Sequence, residues 1–260
     1  MLQSIKHAAE VLRKAQETGL ACEPIRELIS GQNPETAYAV QAFNTEFFLK
    51  QGRQMVGRKI GLTSKAVQEQ LGVDQPDYGI LFADMSRNEE TPINISDVLQ
   101  AKIEGEIAFV LKKDLGRQDN TIDSVIDAVD YVSPALEIVG SRIKNWDITF
   151  TDTVADNGSS GLFVIGRSQC QLDQIDLSRC TMEMQRFGQQ VSAGTGAACM
   201  GNPLNAVLWL ANTMAATNYP LGAGDIILSG ALGPMVEVNA GDSFEAHISG
   251  LGSVSARFSD

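Results

Sequence analysis

The run Lys102-Ile103-Glu104-Gly105-Glu106-Ile107-Ala108-Phe109-Val110-Leu111 constrains the fold more than any other stretch. Its β-branched and aromatic content predicts a strand, and side chains alternate across a strand. Glu104 and Glu106 therefore share one face, while Ile103, Ile107, Phe109 and Leu111 share the other and can enter a core. Two carboxylates about 7 Å apart on one face of a mostly apolar strand repel each other. Either that face is solvated, as on many antiparallel strands, or a divalent cation such as Mg²⁺ turns the repulsion into attraction. Such an ion takes oxygen ligands and keeps waters that a substrate can replace.

Composition narrows the classes. The chain has 260 residues, 43% of them hydrophobic, enough for one large domain or a domain with an appendage. A net charge of −12 argues against general binding to nucleic acid or an anionic membrane. Charges interrupt the amphipathic first helix, unlike a signal peptide, and no apolar run reaches spanning length. Cys22, Cys170, Cys180 and Cys199 are scattered, which fits idle thiols in a reducing cytoplasm. The only histidines are His7 and His247, so one chain cannot build a metal site on several histidines.

The pattern predicts an α+β protein: an N-terminal helical part over 1–53, then a β-rich, mixed-sheet catalytic body over 54–260. A first helix stops near Gly19, and a second starts at Asn33-Pro34, cap plus proline, with Val40, Phe43 and Phe47 as its apolar stripe. A strand at about 55–62, a short helix at about 64–71 and a turn-rich loop at 72–79 follow. Further strands are expected at 101–111, 134–139, 161–166, 180–187, 225–230, 234–239, 243–249 and 252–258. Helices interrupt them at about 121–130 and from Asn202-Pro203. The regular strand–helix alternation of a doubly wound sheet is missing.

Glu137 lies inside the apolar run Pro134-Ala135-Leu136-Glu137-Ile138-Val139, where a charge must be paired or coordinated. A salt bridge to Arg142 or Lys144 is one reading. A three-carboxylate site with Glu104 and Glu106 is the other, and all-oxygen ligation favours Mg²⁺ or Mn²⁺ over zinc. Lys59 sits within an apolar strand bounded by Gly57 and Gly61. Buried near a cation it would have a lowered pKa and shuttle protons; otherwise it snorkels to the surface. Asp77 after Pro76 stabilises a turn or serves a site. Asp152, Asp156, Asn157 and Ser160 crowd a polar loop that lines or caps a pocket, with Ser160 the candidate substrate-binding group. The glycine-rich stretches lack the spacing of a phosphate loop, a dinucleotide fold or a nucleophile elbow.

Together, Gly57-Arg58-Lys59-Ile60-Gly61-Leu62-Thr63, the 72–79 loop, Ile103-Glu104-Gly105-Glu106-Ile107, Val154-Ala155-Asp156-Asn157 and Gly230-Ala231-Leu232-Gly233-Pro234 resemble the 2-keto-4-pentenoate hydratases, in the fumarylacetoacetate hydrolase superfamily. By that resemblance Glu104, Glu106 and Glu137 match the metal-binding carboxylates, Lys59 the active-site lysine and Asp77 an acid implicated in catalysis. Family members usually carry Ala where this chain has Gly105, which leaves the spacing intact. The resemblance implies metal-dependent hydration of 2-hydroxypenta-2,4-dienoate in aromatic meta-cleavage catabolism, by a cytoplasmic homo-oligomer that can associate with a neighbouring pathway enzyme. The rivals are a 4-oxalocrotonate (2-oxohex-3-enedioate) decarboxylase of the same family and a hydratase of a longer dicarboxylate, which would want an extra cation in its pocket. A C–C hydrolase is disfavoured, because its histidine–acid pair would need a histidine away from the chain ends. A non-catalytic metal-stabilised scaffold is the remaining alternative.

Overall fold

In the computed structural model, which describes residues 2–29, 33–65, 68, 73 and 75–260, two helices precede the sheets. Helix α1 (Leu2–Thr18) buries Ile5, Ala8, Ala9, Leu12 and Ala15. Gly19, at φ +67°, takes the left-handed conformation that stops it. Helix α2 (Pro34–Lys50) has Asn33 as its cap, the side chain accepting from the Glu35 N–H. Its buried positions are Ala37, Val40, Gln41 and Thr45, not the expected stripe through Phe43 and Phe47. Those two rings are half-buried, and the Arg13 guanidinium lies 4.2 Å from the Phe47 centroid. Gln41 is buried because Nε2 donates to Tyr78 O and Val154 O, at 2.8 and 3.0 Å. The expected helix at 64–71 lies largely outside the described residues, as do Gly72 and Asp74.

The larger sheet is built on β5 (Lys102–Leu111), the acidic strand. Its order is β2 (Asp77–Phe82), β1 (Met55–Gly61), β10 (Ile226–Leu228), β5, β6 (Val129–Val139), β7 (Leu162–Ile165) and β3 (Ser86–Arg87). β11 (Val236–Glu237) also pairs β5, beside Lys102 and Ile103, whereas β10 pairs the far half of the same edge at Ala108–Val110. Residues 229–235 arch out between them, held by Ser229 N–H to Ile107 O and Leu232 N–H to Gly105 O, both 3.0 Å. The sheet is mixed: β1 and β10 are parallel, and β5 and β6 antiparallel.

A smaller sheet runs β4 (Ile93–Asn94), β13 (Gly252–Ser259), β12 (Ser243–Ile248), β8 (Thr181–Arg186) and β9 (Gln189–Thr195). The main core joins both sheets and includes Ile107, Phe109, Phe163, Met182 and Phe244. Met182 Sδ lies 3.1 Å from where a Cβ on Gly105 would be, so Met182 fills that space. A second core packs α1 and α2 against Ile143 and against Phe150 and Val154 of α4 (Phe150–Ala155). Helices α3 (Ile122–Ala128) and α5 (Pro203–Ala215) complete the body. The Asn202 cap and Pro203 start are as the sequence predicts.

Several elements differ from expectation. β2 begins inside the expected turn loop, β6 starts earlier than residue 134, and β9 and α4 were not anticipated. The expected 234–239 strand is reduced to two residues, because the arch turns the chain away from β5.

Candidate active site

The antiparallel pairing of β5 and β6 sets Glu104 directly opposite Glu137. Directly opposed residues point to the same face, and Glu106 is two residues further along that face. One oxygen from each of the three carboxylates lies within 4.8 Å of the others. Glu106 and Glu137 are wholly buried, and Glu104 is partly open. Glu106 Oε2 accepts from Gly230 N–H at 2.8 Å, so the arch caps the innermost carboxylate. Among the described residues, its Oε1 and Glu137 Oε1 have no hydrogen-bond partner. Buried, unpartnered carboxylate oxygens converging on one point are costly without a cation. The residues therefore fit a divalent ion, and the solvated-face reading of the acidic strand fails.

Lys59 reaches the cluster from β1, two strands away. It is 3% exposed, with Nζ 3.2 Å from Glu137 Oε2, so it does not snorkel. The Arg142 and Lys144 alternatives are taken elsewhere, Arg142 by Asp156 and Lys144 by Glu23. Asp77 is not in a turn. It is the buried first residue of β2, paired with Gly61 on β1. A Cβ on Gly61 would meet Asp77 Oδ1 at 2.1 Å, so only glycine there lets the carboxylate sit over β1. Thr153, brought by α4, lies close enough to Asp77 to oppose the rise that burial gives its carboxyl, and Thr153 Oγ1 lies 3.1 Å from Ser159 Oγ.

Four acids around one lysine set the electrostatics. Burial pushes Glu137 up to about 7, with Lys59 opposing and Glu104 adding to the rise. Burial, then Glu137 and Glu104, hold Glu106 well above the carboxylate range. Glu104 and Asp77 are likewise raised by burial against the pull of Lys59. For Lys59, burial favours the neutral amine, but Glu137, Asp77, Glu104 and Glu106 outweigh it and raise its pKa. The depression expected from a neighbouring cation is thus absent when the carboxylates alone surround the lysine.

A cavity of about 840 Å³ opens onto Glu104, Lys59 and Asp77. Thr153, Gly158 and Ser159 form part of its wall. Asn157, Gly158 and Ser159 all have left-handed φ, between 55° and 60°, which folds the chain against Lys59. A Cβ on Gly158 would lie 3.3 Å from Lys59 Cδ.

Ser160 is buried but lines a separate cavity of about 450 Å³, while its neighbour Ser159 lines the cavity of the carboxylates. The tight turn sends successive residues to different cavities, so the expected substrate-binding Ser160 lies away from this one. The other polar residues of the loop serve structure. Asn157 clamps Ile80 through both backbone groups, at 2.7 and 2.9 Å. Asp152 holds Arg26 and the start of α4. Thr153, Ser159, Lys102 and Trp146 line the cavity but were missed. Only Lys102 had a readable signal, since it shares the face of Glu104 and Glu106.

The fold and these acids define the class: the chain belongs to the fumarylacetoacetate hydrolase family, whose model, described as fumarylacetoacetate (FAA) hydrolase C-terminal, matches residues 37–259. The chain is 55% identical over 255 residues to the TodF product hydratase of Pseudomonas putida, covering 98% of this chain and 95% of that one. It is 51% identical over 257 residues to 2-keto-4-pentenoate hydratase 1 of Dechloromonas aromatica, covering 99% and 98%. Among solved structures, 4-oxalocrotonate decarboxylase from Pseudomonas putida G7, complexed with magnesium and adipate, superposes with a TM-score of 0.95 at 34% identity, covering 99% and 98%.

Proposed function

We propose that this chain is a 2-keto-4-pentenoate hydratase, a hydro-lyase of meta-cleavage catabolism. It converts 2-hydroxypenta-2,4-dienoate and water to 4-hydroxy-2-oxopentanoate. The observation that carries the chemistry is the convergence of Glu104, Glu106 and Glu137, with unpartnered oxygens, beside Lys59. Hydration rather than decarboxylation is favoured because the hydratases are much closer in sequence than the decarboxylase.

Glu104, Glu106 and Glu137 would hold the ion, and the oxygen-only donor set suits Mg²⁺ or Mn²⁺. When bound, it supplies Lewis acidity toward the 2-oxygen and carboxylate end of the substrate. The chain's own groups handle protons. Net reaction places a proton on C5, hydroxide on C4 and a proton on C3, while the 2-hydroxyl becomes the ketone. Lys59 lies against the carboxylates that would carry the ion and shuttles protons during ketonisation. Asp77 assists from across β1, in the space that Gly61 leaves for its carboxylate. The apolar wall supplied by Leu62, Ile148 and Leu232 suits the hydrocarbon end and excludes bulk water.

No described helix is long and apolar enough to cross a membrane. We assign the chain to the cytoplasm as a homo-oligomer on the same reading. Purified protein given the dienol tests the proposal: turnover stops with chelator and returns with Mg²⁺ or Mn²⁺. Inertness with every metal would instead favour a metal-stabilised scaffold.

A further inference from the structure

Two cations line the site cavity among the described residues, Lys59 and Lys102. Lys59 is committed to Glu137. Lys102 forms none of the described ion pairs, even though Glu237 stands opposite it on β11. Its ammonium lies instead 4.5 Å from the centroid of Trp146, a favourable cation–π seat that leaves its N–H donors uncommitted to any acid. Lys102 pairs in register with Val139, one same-face step outward from the Glu104–Glu137 pair. It therefore stands on the face of the three carboxylates, at the outer end of their row.

The seat is built. Asn145 and Trp146 are consecutive left-handed residues, at φ 59° and 54°, and Gln100 is a third, at φ 53°. Strained backbone persists only where its surroundings enforce it. Here Gln100 does so: Nε2 donates to Ser141 O and Ile143 O, at 2.8 and 2.7 Å. Its Oε1 accepts from Asn145 N–H at 2.6 Å, and its carbonyl accepts from Trp146 Nε1 at 3.0 Å. The indole is thus fixed beside the strand that carries Lys102.

We infer that Lys102, seated on Trp146, is the anion receptor of the cavity, drawing in and holding the carboxylate of a 2-oxo or 2-hydroxy acid. This rests on the hydratase reading for its substrate. The physical need is plain: an anionic substrate must approach a chain of net charge −12 and enter a cavity floored with acids. A cation at the outer end of the row offsets that repulsion and raises the encounter rate.

The test compares wild type, Lys102→Met, which keeps an unbranched chain on the indole, and Lys102→Arg. Steady-state rates on the dienol are measured against ionic strength, and 2-oxopentanoate is titrated calorimetrically into the magnesium-loaded proteins. Lys102→Met should raise KM about tenfold with the loss falling on KM rather than kcat, weaken 2-oxopentanoate by a similar factor, and flatten the salt dependence of kcat/KM. Lys102→Arg should restore most of each. Unchanged KM, affinity and salt slope in Lys102→Met would overturn the receptor while leaving the hydratase intact, and equal losses in Met and Arg would mark a packing role and overturn it too. A wild type that binds 2-oxopentanoate through Lys102 but never hydrates the dienol would overturn the hydratase and keep the receptor. A wild type that neither binds nor hydrates would overturn both.

Discussion

At the residue scale, the proposed chemistry depends on one buried amine among four acids. Lys59 is the positive charge that offsets Glu137, and both are buried. Replacing it with Met leaves the carboxylates their full affinity for a cation. We therefore expect Lys59→Met to lower turnover by about 10²–10⁴-fold while magnesium binding, followed by calorimetry, is retained or tightened. Near-normal turnover would remove Lys59 from the proton path. Gly105 is also explained at this scale. The sequence offers no reason for glycine between the two acids, but Met182 from the other sheet occupies the space of a side chain there.

At the element scale, the periodic and capped segments were legible and the non-local ones were not. Asn33-Pro34 and Asn202-Pro203 mark helix starts by local chemistry alone, and both helices begin there. The acidic strand was readable because its two acids alternate with apolar residues at its start and β-branched and aromatic residues follow. α4 was not, because Thr151, Asp152 and Thr153 look like loop residues. Asp152 and Thr153 are buried because Arg26, from a distant part of the chain, and Ser159, from the turn that follows, meet them. β9 lies at the edge of its sheet and is mostly polar, so it carries little apolar rhythm. The three carboxylates and Lys59 were found in the sequence. Ser159 was not, because which serine of the turn faces inward depends on three left-handed residues. Arg142 fixes the β6 exit to that turn through Asp156 and Ser160 O. Arg142→Leu strands a buried carboxylate and should cost about 3–5 kcal/mol. Urea unfolding checks this, and a loss below about 1 kcal/mol would show the pair to be dispensable.

At the scale of the whole molecule, the site costs stability that a bound cation would restore. Glu137 titrates near 7 in the fold, against 4.5 for an ordinary glutamate, and Glu104, Glu106 and Asp77 are raised as well. Between about pH 4.5 and 7 the folded chain thus holds protons that the unfolded chain has released, so this contribution to stability falls as pH rises. A divalent ion replaces those protons. Magnesium should therefore raise the Tm of chelator-treated protein more at pH 8 than at pH 5.5, by differential scanning calorimetry; an equal rise at both would contradict the arrangement. The bonds from Gln41 to Tyr78 and Val154 carry a last consequence. They tether the strand that begins with Asp77 and the helix that brings Thr153, and α1 packs over the same helix that supplies them. Deleting residues 1–33 removes no described residue that lines the cavity, yet it should loosen the alignment of Asp77 and depress turnover in a chain that still binds magnesium. On this reading the leading helices would act as a splint for the proposed proton-handling side of the centre, and trimming the chain to its sheets would leave the three-carboxylate cage standing with its acid partner adrift.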